Sequence, residues 1–596
     1  MSSNYISQGT GTASEKSSGS TTDVVVGVAE SVNTGDQADV LRAHDTTHRQ
    51  LKERHVQLIG IGGTIGTALF VAIGRGLALG GPASLFLGFT LWSTVVLCVN
   101  NCLAEMVSYL PISSPFIRFA GRFVDEAFGV ATGYNFFIFE AMMVPFEIVA
   151  TTFILSFWPG SAAIHPAIII SIIIVVYALA NMFTVKWYGE AEFWMALGKV
   201  ILIVGLLIFT FVTMLGANPL HDRFGFRYWK DPGAFAEFYH TGNLGRFMGF
   251  LACFIQASFT IAGPDYVAMA AGETQNPRKT LPRAFKGVFF RLTTFFVLGS
   301  LAVGVLVPYN SQELVDIYIL GKPTAGAAGS PYVLAMKRLQ IGVLPNIVNA
   351  LVFTSALSAG NSYVFCASRC LFGLALEGKA PKVFTRTNKV GVPIYCVGLV
   401  MCFSLLAFLQ LSAGTAKVLN WFIGLVTSSQ LMNYAVCSFT YIKFHRACVA
   451  QGLDRQAKLP FCGMFQPYAA YYSLFFTFIM TFVGGFTVFL PGFWSVPTFF
   501  FSYTMPFMFP VIFFAWKFAK GTTWMRSKDV DLVEGLDEIE AYEKTIPEKE
   551  KKAGATGAFE KVQQKLFRRV KRTKAGQGSN VEESKLGKGT GEKSLE

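Results

Sequence analysis

Residues 56–72 read VQLIGIGGTIGTALFVA, an apolar stretch of the kind that enters a bilayer, yet Gly60, Gly62, Gly63 and Gly66 interrupt it. Each glycine weakens a helix. Inside a membrane an interrupted helix frees backbone N–H and C=O groups that lipid cannot satisfy. Such a break is tolerated only where it lines a cavity or binds something. A second interruption, Gly263-Pro264, lies about two hundred residues on, inside FTIAGPDYVAMAAGE. Two broken spans at corresponding places predict a transporter of inverted repeats, with its binding site between the breaks.

The rest of the chain fits that frame. Hydrophobic residues make up 52% of it and charged residues 15%, the balance of a polytopic membrane protein. Twelve apolar runs have the length a spanning helix needs: 56–77, 82–109, 127–157, 165–185, 191–215, 246–271, 284–307, 340–371, 393–413, 415–442, 467–490 and 496–519. The expected fold is an all-α polytopic membrane protein with twelve transmembrane helices. Spans one to five and six to ten form a 5+5 inverted-repeat core whose opening spans, one and six, are broken; spans eleven and twelve are extra. Residues 1–54 read as a disordered cytoplasmic tail, 55–520 as the membrane domain and 521–596 as a polar cytoplasmic tail. No cleavable signal peptide is expected.

The net charge of +13 is no nucleic-acid signal, because much of it flanks the spans or lies in the C-terminal tail. Loops between even- and odd-numbered spans carry Arg118, Arg122, Arg278, Lys279, Arg283 and many more, against few on the other side. The positive-inside rule then places both termini in the cytoplasm. The ten cysteines lie in spans or inside loops, so no disulfide framework is expected. Cys98 and Cys102 share a helical face without a further metal ligand and read as packing. The loop 217–245 either caps the outer mouth or merely connects. Within the C-terminal tail, 558–574 reads either as a basic amphipathic helix on anionic lipid or as solvated chain.

At this point the residues resemble a family. GIGGTIGTALF (60–70), GGPAS (80–84), PISSPFIRFAGRFVD (111–125), YGEAEFWMALGKV (188–200), IAGPDYVAMAAGE (261–273) and LSAGNSYVFCASR (357–369) are similar to motifs of the fungal amino-acid permeases. Those belong to the amino acid–polyamine–organocation superfamily. The resemblance runs from about residue 48 to 520. Within the family the chain most resembles the dicarboxylic (acidic) amino-acid permeases, through GTALF, SSPF, the FE…PFEIV pattern of span three and NW…SQL of span ten. It departs from the family at Asp265, where glutamate is usual.

An amino-acid cargo presents a carboxylate and an ammonium. The second half of span one begins with free amides, an anion site by dipole and geometry. The α-carboxylate is assigned to the amides of Thr67 and Ala68, with Gly66 permitting close approach; glycines for tight helix packing are the alternative. The resemblance implies that the ammonium meets the carbonyls of Phe259, Thr260 and Ala262 at the Gly263 break. Phe259 either closes over the cargo or packs in the core. Asp265, an intramembrane carboxylate, is expected to serve the site or its coupling. Glu140 and Glu147 lie two turns apart on one face of span three and suggest a proton path, or pairing with Lys199 or Arg291. The resemblance implies that Lys199 stands where sodium sits in sodium-coupled relatives, hence a proton-coupling or gating role. Glu105 and Arg369 read as gate or loop contacts. For side-chain selection the candidates are Ser358, Asn361, Ser362, Thr427, Ser428 and Gln430; Arg75 either draws anions to the mouth or anchors the interface.

The expected function is a plasma-membrane, proton-coupled symporter importing L-glutamate and L-aspartate by alternating access. A broad-specificity permease is the alternative, and a non-transporting sensor a more distant one. No nucleophile–base pair, phosphate loop or metal spacing points to an enzyme, a cofactor or a metal. The expected partners are the cargo, H⁺, the bilayer, and trafficking or ubiquitination machinery at the tails.

Overall fold

The computed structural model describes residues 51–182, 185–319, 330–388 and 391–545; the basic amphipathic helix expected at 558–574 lies outside them. The regular structure among the described residues is helical, with strand pairing limited to one bridge between Leu51 and Thr274.

Span one enters as Glu53–Gly62, loses helical form over 63–66, and resumes at Thr67 through a π-helical turn, Ala68–Ala72. Its outer half runs into span two as one helical stretch to Tyr109. The turn between them is made at Gly81, whose φ of 78° suits glycine, followed by Pro82. Span three is Glu126–Leu155, started by Asp125 accepting from the Ala127 amide. Span four is Pro166–Met182 and span five Val185–Met214. Span six is Gly242–Thr260, a break at 261–263, then Pro264–Met269. Spans seven to twelve follow as Pro277–Leu306, Leu344–Leu376, Ile394–Ala413, Thr415–Ala450, Tyr468–Phe489 and Val496–Lys520. The sequence of twelve spans is thus present, with both breaks where the glycines predicted them.

Burial sorts the spans. Span three is buried along almost its whole length, packed against span eight on one side and span ten on the other. Spans eleven and twelve are mostly exposed and present Phe475, Phe478, Phe500, Phe507 and Phe514 outward, as a lipid-facing pair does. The two halves of span one lie against the two halves of span six, so the breaks meet at the centre.

The loop 217–245 is anchored at the corner between spans one and two. Its 234–236 segment bonds to the span one–two corner, Ala83 N–H to Ala234 C=O at 2.9 Å and Ala236 N–H to Gly80 C=O at 3.0 Å. A short helix in the span seven–eight connection, Gln312–Tyr318, lies over span one, with the Tyr318 hydroxyl donating to the Val71 carbonyl at 2.6 Å.

The face bearing Leu51 and Thr545, which the charge bias marks as inner, is laced by side chains. Glu105, fully buried at the end of span two, accepts from Arg455 at 2.7 and 2.8 Å, from Tyr441 at 2.7 Å and from the Gly463 amide at 2.6 Å. It is the loop contact expected of it. Residues 522–545 cross the same face. The Met525 amide bonds the Val124 carbonyl at 2.8 Å, and Arg122 reaches the carbonyls of Asp531 and Glu534. Gln451 donates to the Val530 carbonyl at 2.6 Å, and Arg278 meets Glu543 at 3.5 Å. Val530, Leu532 and Ile539 of this segment are buried.

Candidate functional site

At the span-one break the helix stops because Gly62, Gly63 and Gly66 give it little reason to continue, and the freed groups find partners. The Gly63 carbonyl accepts from the Tyr363 hydroxyl of span eight at 3.0 Å, and the Ile65 carbonyl from Ser355 at 3.4 Å. The start of the outer half is occupied from within. Glu147 of span three accepts from the Thr67 amide at 3.4 Å and from the Thr67 hydroxyl. Gly66 makes this approach possible: a Cβ there would lie 2.7 Å from a Glu147 carboxylate oxygen. The protein therefore sets its own carboxylate at the anion site that the sequence predicts for the cargo's.

The span-six break is built in parallel. Gly263 adopts φ 145°, which a side chain would strain, and Pro264 restarts the helix at its first position, where no N–H is needed. Asp265 turns back to accept from the Gly263 amide at 3.3 Å, so this half-helix also begins on a carboxylate of the chain itself. The Ile261 carbonyl accepts from Gln430 of span ten at 3.3 Å, and Gln430 also donates to Tyr434 at 3.1 Å. Thr260 bonds the Gln256 carbonyl at 2.8 Å. Phe259 is buried edge-on to Phe146, ring centroids 5.3 Å apart. Ala262 is partly exposed, between the held Ile261 carbonyl and Gly263.

Around the breaks lie more charges than a bilayer core ordinarily tolerates. Glu140 is fully buried beside Tyr266, with neither carboxylate oxygen hydrogen-bonded. Lys199 is buried, and the charges acting on it are Glu192 first and Glu147 second. Glu192, in the same span five, accepts from Ser358 at 3.0 Å.

A cavity opens outward from Thr67. Its walls are Val71, Ala72 and Arg75 of span one, Phe146, Ala150 and Phe153 of span three, Ile317 and Tyr318 of the short helix, and Ala416, Leu419, Asn420 and Ile423 of span ten. The walls are apolar apart from Thr67, Arg75, Tyr318 and Asn420. Arg75 makes no ion pair or hydrogen bond among the described residues, whereas Arg122, Arg278, Arg283 and Arg455 of the inner face are all paired.

The amino acid permease family matches residues 55–527 of the chain. The chain belongs to the amino acid permease family. This permease is 46% identical over 510 residues to the General amino acid permease AGP2 of Saccharomyces cerevisiae, covering 83% of this chain and 84% of that one. It is 39% identical over 503 residues to a Proline-specific permease of Emericella nidulans, covering 84% and 90%. The Dicarboxylic amino acid permease of Saccharomyces cerevisiae is 36% identical over 489 residues, covering 81% and 79%. The sequence marks read as dicarboxylic therefore do not set that subgroup apart. The chain is more similar to the general and proline-specific permeases than to the dicarboxylic one.

In the permease, Gly66, Thr67, Ala68, Glu147 and Glu140 come together with Phe259, Thr260, Ala262, Gly263 and Asp265 around the two breaks. The expected pairing of a span-three glutamate with Arg291 is absent among the described residues. The polar side chains expected to select the cargo are turned to the protein. Ser358 is spent on Glu192, Asn361 accepts from Asn181 at 2.7 Å, and Ser362, Thr427 and Ser428 donate to carbonyls within their own helices. Gln430 holds the span-six break. The cavity wall offered by span ten lies instead one to three turns earlier, at Ala416, Leu419, Asn420 and Ile423. Tyr363, Tyr266 and Glu192 escaped sequence reading. Glu192 alone carried a signal, as a second acid beside Glu190 at the mouth of an apolar run.

Proposed function

We propose that this permease imports amino acids across the plasma membrane by alternating access, driven by H⁺, with both termini cytoplasmic and acidic amino acids as its preferred cargo. The carrying observation is Glu147 seated on Thr67. An incoming α-carboxylate competes for the amides of Thr67 and Ala68, and two carboxylates cannot share them at low dielectric unless one is neutral. Cargo binding thus displaces Glu147 and is linked to its protonation, with Lys199 close enough to receive the displaced group when it is charged. Asp265 and Glu140 add further negative charge, which reinforces the linkage. The ammonium finds acceptors at the carbonyls of 259–262. A cargo side-chain carboxylate pointing outward meets Arg75, the cavity's cation.

A second reading is supported by the mostly apolar cavity walls and by the general and proline-specific relatives: broad cargo with neutral side chains accepted. Labelled glutamate uptake, competed by acidic, neutral and basic amino acids at two outside pH values without sodium, separates the readings. Acidic preference requires aspartate to compete far better than proline, and coupling requires uptake to rise as outside pH falls. In Glu147→Gln the cargo should still bind while accumulation loses its pH dependence. Strict dependence on sodium would sink the coupling, and equal competition by all classes would sink the acidic preference.

A further inference from the structure

Gly60 is one of the four glycines of span one, yet it lies inside the helix Glu53–Gly62, three residues before the break, and contributes nothing to it. Its role is spatial. A Cβ at this position would lie 2.6 Å from one terminal nitrogen of Arg291 and 3.3 Å from the other, and 2.7 Å from the Val267 side chain. The Arg291 guanidinium therefore fills a slot between the inner half of span one and the inner half of span six. Val267 is four residues past Gly263, so at 1.5 Å per residue the slot is about one helical turn inward of both breaks. Both terminal nitrogens are buried and neither has a hydrogen-bond partner. No carboxylate of the described residues pairs with them. Glu147 is seated on Thr67 and Asp265 on the Gly263 amide, while both carboxylate oxygens of Glu140 are, like the guanidinium, buried without a hydrogen-bond partner.

A buried, unpaired guanidinium is among the costliest arrangements a membrane protein can hold. Arginine is also the side chain best shaped to take a carboxylate through two parallel hydrogen bonds. We propose that Arg291 is an inner carboxylate-binding station, which takes a carboxylate of the amino acid when the inner halves of spans one and six part. This rests on the transport reading above. The structure has its cavity on the outer side, with the slot closed by Gly60 and Val267. The same parting that opens the inner path uncovers the guanidinium directly below the site. A departing cargo then exchanges the amides of Thr67 and Ala68 for Arg291, while Glu147 returns to Thr67. The station serves either the α-carboxylate, common to every cargo, or the side-chain carboxylate of an acidic one.

The test uses the full-length protein in proteoliposomes and compares wild type, Arg291→Lys and Arg291→Met, with labelled glutamate and labelled proline presented from each side. In Arg291→Met the KM from the inner side should rise about tenfold or more, the loss of hydrogen bonds to a charged group, while the outer-side KM changes little. Arg291→Lys should restore part of the inner affinity. A rise confined to glutamate assigns the side-chain carboxylate; a rise for both assigns the α-carboxylate. Inner-side KM values unchanged in Arg291→Met overturn the station. So does a Tm raised in Arg291→Met with wild-type transport, which would mark the guanidinium as an unserved buried charge. If Arg291→Met fails to insert, the inner-side KM of Arg291→Lys decides: it should lie above wild type, and equality overturns the proposal. Wild-type protein that carries neither cargo fails the transport reading itself, visible before any variant is compared.

Discussion

Single atoms decide the span-one break. Gly66 is there less for flexibility than for the space a Glu147 oxygen occupies, and Ala359 closes the other side, 3.2 Å from where a Cβ would stand. Gly66→Ala must push Glu147 off Thr67 or shift the span-three backbone, at a cost of about 1–3 kcal/mol. The expected outcome is uptake reduced roughly tenfold or more with protein still at the cell surface, measured by labelled uptake normalised to surface labelling. Normal uptake would mean that Glu147 does not need its seat. Gly63, three residues earlier, meets the ring of Tyr266 instead. Neighbouring glycines in one motif thus serve different partners: an arginine, a tyrosine and a glutamate.

At the level of elements, each break is a helix whose freed carbonyl is held from another span: Gly63 by Tyr363 of span eight, Ile261 by Gln430 of span ten. Tyr363→Phe keeps the ring and removes the donor, leaving a buried carbonyl unserved, at about 1–3 kcal/mol. A lower melting temperature for the purified protein is expected, together with slower uptake; an unaltered melting curve would show that water replaces the hydroxyl. The breaks themselves were legible in the sequence because glycine and proline announce an interrupted helix wherever they cluster in an apolar run. The spans were legible because bilayer thickness sets their length. Their neighbours were not. Glu140 and Glu147 share a face by helical spacing, but spacing is silent on what that face meets, and it meets two different half-helices. Likewise Ser358, Thr427 and Ser428 looked like pocket donors because they are polar in apolar spans, yet Ser358 donates to Glu192 and the other two to carbonyls of their own helix. A hydroxyl within reach of a carbonyl one turn back satisfies itself.

Over the whole molecule, the inner face is tied by a segment that composition marks as a plain polar tail. Val530, Leu532 and Ile539 are too few to raise its mean hydropathy, yet all three are buried, and the segment touches the span two–three loop, the end of span ten and the start of span seven. A chain stopped after Thr545 should keep its transport and its melting temperature. One stopped after Lys520 should lose roughly 3 kcal/mol or more of stability, the burial of three aliphatic side chains, read as a lower melting temperature and less protein surviving extraction. Identical melting of the two truncated chains would make the segment a bystander. The order of synthesis gives this strap a further meaning. A ribosome releases the chain from its N-terminal end, so Arg122 emerges early and waits for its partner Asp531, 409 residues later. Every span can be inserted before the inner face is latched. A chain abandoned between its last span and this segment would look complete to the bilayer and unfinished to anything that inspects the face the segment crosses.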